Sequence, residues 1–143
     1  TEKLQEELLS LVEEDAKAFA PLSRAYGMPK DTEEERAEKE RVMEAALKEA
    51  SRVPLQIMRK CCQVIELQKE FAEKGSRLAV SDAGVGVIFA KAALQGAALN
   101  VFINTKSIKD RKFAEESERE ADEMLQDYTI KADYVYALVY SQL

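Results

Sequence analysis

Histidine is absent from this chain of 143 residues, and cysteine occurs only twice. Without histidine the commonest general base and the commonest zinc ligand are both missing, so proton transfer falls to Asp, Glu, Lys or Tyr. Cys61 and Cys62 are adjacent, and neighbours on a helix point about 100° apart, which rules out a disulfide between them. With no activating group at hand, they read as reduced core residues. Positive charge is in deficit as well. The 21 Lys and Arg against 27 Asp and Glu give a net charge of −6. That excludes a nucleic-acid surface built on clustered cations, although an anionic small molecule needs only a local basic patch. The sequence has no phosphate-binding glycine loop, dinucleotide fingerprint or metal-ligand spacing, so neither a metal nor a permanently bound cofactor is expected.

The opening TEKLQEELLSLVEED has no basic segment followed by an apolar one, so no secretory signal is visible. Lys91, Gln95 and Asn100 interrupt the apolar stretch from Val85 to Ile103, which reads against a transmembrane span. The expectation is a cytoplasmic protein with no membrane partner. The first residue is Thr rather than Met, as in a processed or truncated product.

What the chain has is helical periodicity, with no β-type alternation, no repeat and no low-complexity linker. The spacing predicts one all-α bundle domain over 1–143, of about five helices. Helix 1 covers about 2–26, with Leu4, Leu8, Leu11, Val12, Phe19, Leu22 and Tyr26 on one face and a bend or break at Pro21. After the loop GMPKDT, Thr32 and Glu35 form a capping box for a second helix over about 33–50, whose first turns are densely charged. Ser51 caps a third, with Pro54 in its first turn, and Gly75 ends it. The fourth is the Ala/Gly-rich segment 81–104, SDAGVGVIFAKAALQGAALNVFIN, with Ser81 as N-cap and Asp82 in its first turn. A long C-terminal helix over about 109–141 carries Phe113, Ala121, Met124, Tyr128, Val135 and Val139 on one stripe. That stripe exceeds what one small bundle covers, and this points to a homodimer.

Several residues could carry chemistry. Asp15 falls within the apolar stripe of helix 1, where a carboxylate needs partners or stays protonated; it is expected to be buried and either structural or catalytic. Asp82 shares a stripe of the fourth helix with Asn100 and Asn104. Capping accounts for all three, and so does a site that binds a heterocycle. Lys106, Lys109, Arg111 and Lys112 form the densest basic cluster, which either complements the end of that helix or binds an anion. Lys91 either reaches solvent or pairs with a buried acid.

The ordered set LVEEDAKAF, YGMPK, SRVPLQI and SDAGVGVIFAKAALQGAALNVFIN resembles the formiminotransferase-cyclodeaminase family over most of the chain. The resemblance implies an all-helical homodimer acting on one-carbon derivatives of tetrahydrofolate, which is substrate rather than resident cofactor. The implied reaction is hydrolysis of 5,10-methenyltetrahydrofolate to the 10-formyl form, or cyclodeamination of the formimino form with release of ammonia. Asp15 or Asp82 would supply the carboxylate, and Asn100 and Asn104, with Ser81 beside Asp82, would orient the pterin. Lys106 and Lys109 would meet the glutamate tail. Family members carry a Pro- and Gly-rich stretch and a further helix ahead of the region that begins here. The expectation is therefore a domain truncated at its N-terminus, or else a non-catalytic helical binding or assembly protein of the same fold.

Overall fold

The computed structural model describes residues 1–77 and 79–143. Among the described residues there are four α-helices: α1 (Glu2–Tyr26), α2 (Glu33–Lys74), α3 (Val80–Thr105) and α4 (Arg111–Gln142). No strand occurs among the described residues, so the fold is all-α as the periodicity predicts. The helix count is one lower than expected, because the second and third predicted helices are a single rod of 42 residues.

That rod is the axis of the molecule. α1, α3 and α4 all pack on α2, and α3 and α4 also pack on each other. Cross-helix contacts fix the directions. Lys60 pairs with Glu7 at one end of α1, and Lys39 Nζ donates to the Tyr26 carbonyl at the other, so α1 runs antiparallel to α2. The pairs Lys48–Asp110 and Arg59–Glu120 set α4 parallel to α2. The main core lies among α2, α3 and α4, around Met58, Ile65, Val87, Leu94, Val101 and Val135, and a second cluster joins Leu22, Leu47, Ile108 and Ala114.

Local signals explain most of the helix ends. Thr32 and Glu35 make both halves of the expected capping box at the start of α2. α1 runs unbroken through Pro21. α3 differs from expectation: it begins at Val80 with Ala79 at the N-cap, and Ser81 is an exposed first-turn residue rather than the cap. α3 is long and apolar enough to cross a membrane by length and composition, and about a third of its apolar stretch is buried within the bundle.

Ser51 and Pro54 do not start a new helix, and the reason is specific. Ser51 Oγ, fully buried, donates to the Leu47 carbonyl 2.8 Å away, as a mid-helix serine does. Pro54 has no N–H to offer the carbonyl four residues back, which belongs to buried Ala50. Asn104 Nδ2, from α3, donates to that same carbonyl at 2.9 Å. A side chain 54 positions away thus replaces the missing backbone donor, and the helix continues.

This substitution of donors is testable by a double-mutant cycle. Asn104→Ala leaves the Ala50 carbonyl without its donor and should cost about 1–3 kcal/mol, read from the denaturant midpoint. In the Pro54→Ala background the new backbone N–H takes that place, so the same Asn104→Ala change should cost clearly less. Equal costs in the two backgrounds would refute the link.

Candidate functional site

The residues at the C-terminal end of α3 are held by a dense set of polar contacts. The Glu44 carboxylate of α2 accepts from the backbone N–H groups of Lys109 and Asp110, each at 2.9 Å, and so pins the connection to α4. Asp110 accepts from the Phe113 N–H to cap α4 and pairs with Lys48 Nζ at 2.8 Å. The Lys48 hydrogen bond, followed by that backbone N–H, holds the Asp110 carboxyl below the usual aspartate range. Arg111 donates to the carbonyls of Thr105 and Ile108. It complements the end of α3, one of the two roles expected of the basic cluster.

Beside this connection lies an open cavity of about 300 Å³, between the α1–α2 loop, the first turns of α2 and Ser107. Four cations line it, Lys30, Arg36, Lys39 and Lys109, against two carboxylates, Glu40 and Glu44. Lys39 is engaged by the Tyr26 and Met28 carbonyls, and Lys109 pairs with Glu40 at 2.7 Å. Lys30 and Arg36 enter no ion pair among the described residues, so the cavity keeps two cations for an anionic guest. The charged opening of α2 hides this arrangement in the sequence. Arg36, Lys39, Glu40, Met43 and Leu47 recur at helical spacing, and an apolar Met and Leu on such a face signal that it is not simply solvated.

The structure disperses the other predicted site residues. Asp82 and Ser81 are exposed at the N-terminal end of α3, whereas Asn100, Asn104 and Lys106 stand at its far end. At 1.5 Å per residue, Asp82 is about 27 Å from Asn100 and about 33 Å from Asn104 along the helix. One protomer therefore does not collect Asp82 and the two amides at a single point. Asn104 is half-buried with its NH₂ on Ala50, Asn100 is exposed, and Lys106 is exposed outside the cavity that Lys109 lines.

Asp15 also departs from expectation. The buried stripe of α1 is Leu11, Ala18, Leu22 and Ala25, while Val12 and Phe19 point outward. Its true centre lies to one side of the predicted face and leaves Asp15 at the stripe's edge. Asp15 is half-buried, and its side chain makes no hydrogen bond among the described residues. Lys91 pairs with the exposed Asp133 of α4 at 2.7 Å, not with a buried acid. Cys61 and Cys62 are free and buried, and burial pushes their thiols up to about 11 and about 12, as inert core cysteines require.

Comparison with known proteins places this helical arrangement. The sequence pattern of the formiminotransferase-cyclodeaminase family matches residues 1–123. The methenyltetrahydrofolate cyclohydrolase of Methylorubrum extorquens is 41% identical over 143 residues, which is all of this chain and 69% of that protein. The formimidoyltransferase-cyclodeaminase of Gallus gallus is 34% identical over 134 residues, 94% of this chain but 25% of its own length. Among solved structures, the formiminotetrahydrofolate cyclodeaminase of Thermotoga maritima matches with a TM-score of 0.76 at 27% identity, covering 99% of this chain and 65% of that one. The family pattern spans most of the chain, and the same helices recur in a solved relative: this chain belongs to the formiminotransferase-cyclodeaminase family.

Proposed function

We propose that the protein acts on one-carbon derivatives of tetrahydrofolate, as a cyclohydrolase that converts 5,10-methenyltetrahydrofolate to 10-formyltetrahydrofolate. The observation that carries this reading is the 41% identity, along the whole chain, to a protein named for that reaction. In it, water adds to the cationic methenyl carbon and gives up a proton. The oxygen then gives up its second proton as the bond from that carbon to N5 breaks, N5 takes up one proton while the other is released, and the formyl group stays on N10. A carboxylate near the cationic carbon favours the charge and takes the proton. Asp82 or Asp15 is assigned that part. Ser81 stands beside Asp82, and Asn100 with the carbonyl oxygen of Asn104, whose NH₂ is engaged, is assigned to orienting the pterin from a second copy of the chain, since about 27 Å or more of α3 separates them from Asp82. The substrate is the only folate required; no permanent cofactor or metal enters this reading.

The second reading is formiminotetrahydrofolate cyclodeaminase, favoured by the solved Thermotoga maritima relative. The two are separated by loss of the methenyl chromophore in one assay and ammonia release from the formimino substrate in the other. A fold that does neither is the non-catalytic binding protein. Free, buried Cys61 and Cys62 support a reducing, cytoplasmic setting. The broad apolar outer face of α3 supports a homodimer.

If Asp82 supplies the carboxylate, Asp82→Asn should lower turnover by about 100-fold or more with the helical content unchanged, while Asp15→Asn stays near wild type. The converse result moves the role to Asp15. The cation-lined cavity is assigned to the glutamate tail, with Lys109 in it and Lys106 nearby on the same connection. Reversing its two unpaired cations, Lys30→Glu with Arg36→Glu, should weaken a polyglutamylated folate more than the monoglutamate, and more at low salt than at high salt in titration calorimetry. Equal weakening of both ligands removes the tail from this cavity.

A further inference from the structure

Pro54 and Ala50 are both buried in α2, so the Ala50 carbonyl that the proline leaves without a backbone donor faces protein rather than solvent. Ser51 does not serve it, because its hydroxyl donates to the Leu47 carbonyl. Asn104 Nδ2 does, at 2.9 Å. A side-chain amide has two orientations of nearly equal shape, and here they differ in sign. With the NH₂ group toward the carbonyl the contact is a hydrogen bond; turned over, the amide would set two acceptor oxygens against each other. A backbone N–H at position 54 would have met the carbonyl's demand. With proline there, the demand falls on Asn104 and is met by one orientation alone.

The other half of the amide is fixed by the same contact. Asn104 Oδ1 accepts no hydrogen bond among the described residues, yet no sealed side-chain oxygen is left without a partner there, so Oδ1 stands open. The backbone that carries it is held as well. The Asn104 carbonyl accepts from the Ser107 N–H at 3.2 Å, and the carbonyl of the fully buried Thr105 is taken by Arg111 at 3.0 Å. Position 104 therefore presents an acceptor at a fixed place, where a freely turning amide would offer donor and acceptor in turn.

We propose that Pro54 is a positioning residue for folate recognition: by withholding an N–H from Ala50 it turns the Asn104 amide so that Oδ1, and not the NH₂ group, meets the pterin. The inference rests on the folate reading above, in which Asn104 orients that ring, and it names the edge of the ring that is read. A tetrahydropterin carries its N3–H and 2-amino donors side by side, on the pyrimidine edge remote from N5. A fixed acceptor matches that edge, whereas an NH₂ group there would set donor against donor. N5 and the reacting carbon lie at the other end of the bicycle. The contact is therefore equal in the ground state and the transition state, and it acts on binding rather than on turnover.

Pro54→Ala tests this directly, because it returns the N–H to Ala50 and releases the amide while every atom of Asn104 is kept. Alanine is the strongest helix former, so the rod is preserved. In whichever of the chromophore and ammonia assays the protein turns over, Pro54→Ala should raise KM about fivefold or more with kcat within about twofold. Asn104→Ala should raise KM at least as much, and adding Pro54→Ala to it should raise KM no further, since the proline acts through the amide. A proline with a structural role alone would move the denaturant midpoint and leave KM unchanged. The amide also reports the link without substrate. In amide NMR the Asn104 side-chain protons, identified by their loss in Asn104→Ala, should exchange with solvent about tenfold faster or more in Pro54→Ala than in the unmutated protein. Unchanged amide exchange in Pro54→Ala, an unchanged KM, or a KM raised equally with and without Asn104 overturns the proposal while the folate reading stands. An unmutated protein that turns over neither substrate overturns the folate reading, and the pterin contact with it.

Discussion

The fold depends on α2 being one rod, and α2 is one rod because the Ala50 carbonyl has a donor. Pro54 removes the backbone N–H that would have served it, and a buried carbonyl left bare is among the costlier local defects of a folded chain. Asn104 supplies the donor from α3. The repair has consequences beyond α2, since it ties the middle of the central helix to the last turn of α3 at a single atom. From that point the chain turns into α4 under the control of Glu44, which also arises from α2. The cation-lined cavity is the space left beside this corner. Its walls are therefore set by the same contacts that keep the rod whole.

Charge pairs between α2 and α4 then choose the register along which the rest closes. Lys48–Asp110, Arg59–Glu120 and Lys131–Glu66 occur in order along the two helices, so they agree on a parallel alignment. They lie at the surface, where single ion pairs contribute little to stability and much to orientation. The last of them is the most developed. Its Lys131 also lies over the Tyr128 ring, and the Lys131 hydrogen bond draws the Glu66 carboxyl below the usual glutamate range. Burial is the first cause that raises the Tyr128 hydroxyl, which keeps the phenol neutral beside that pair.

The sequence makes readable whatever is decided within about one helical turn. The capping box at Thr32 and the bounds of α1 are local, and both are legible. The break expected at Ser51 is a local signal overruled by a distant partner. A serine followed three residues later by proline has the form of a helix start, and the amide that cancels it lies 54 positions along the chain. Asp15 shows the limit of a helical wheel drawn from hydrophobicity alone. Phe19 and Val12 pull the apparent stripe toward themselves, yet both are exposed, and Leu11, Ala18, Leu22 and Ala25 form the face that packs on α2. The basic cluster after α3 is legible as charge but not as function. Arg111 spends its donors on carbonyls and Lys109 pairs with Glu40, whereas Lys30 and Arg36 come to the same corner from elsewhere in the chain.

The faces of α3 are illegible in the sequence for a different reason. It is apolar on nearly every side, so a wheel cannot separate the face packed on α2 and α4 from the open one. The glycines make that separation. Gly84 and Gly86 are tight against Val139 and Gln68, which identifies them with the inner face, and Gly96 has empty space before it on the outer one. Seen this way, the polar ends of α3 belong to two different structures. Asn104 turns inward and completes α2, while Asp82 and Lys106 are exposed and make no side-chain hydrogen bond or ion pair among the described residues.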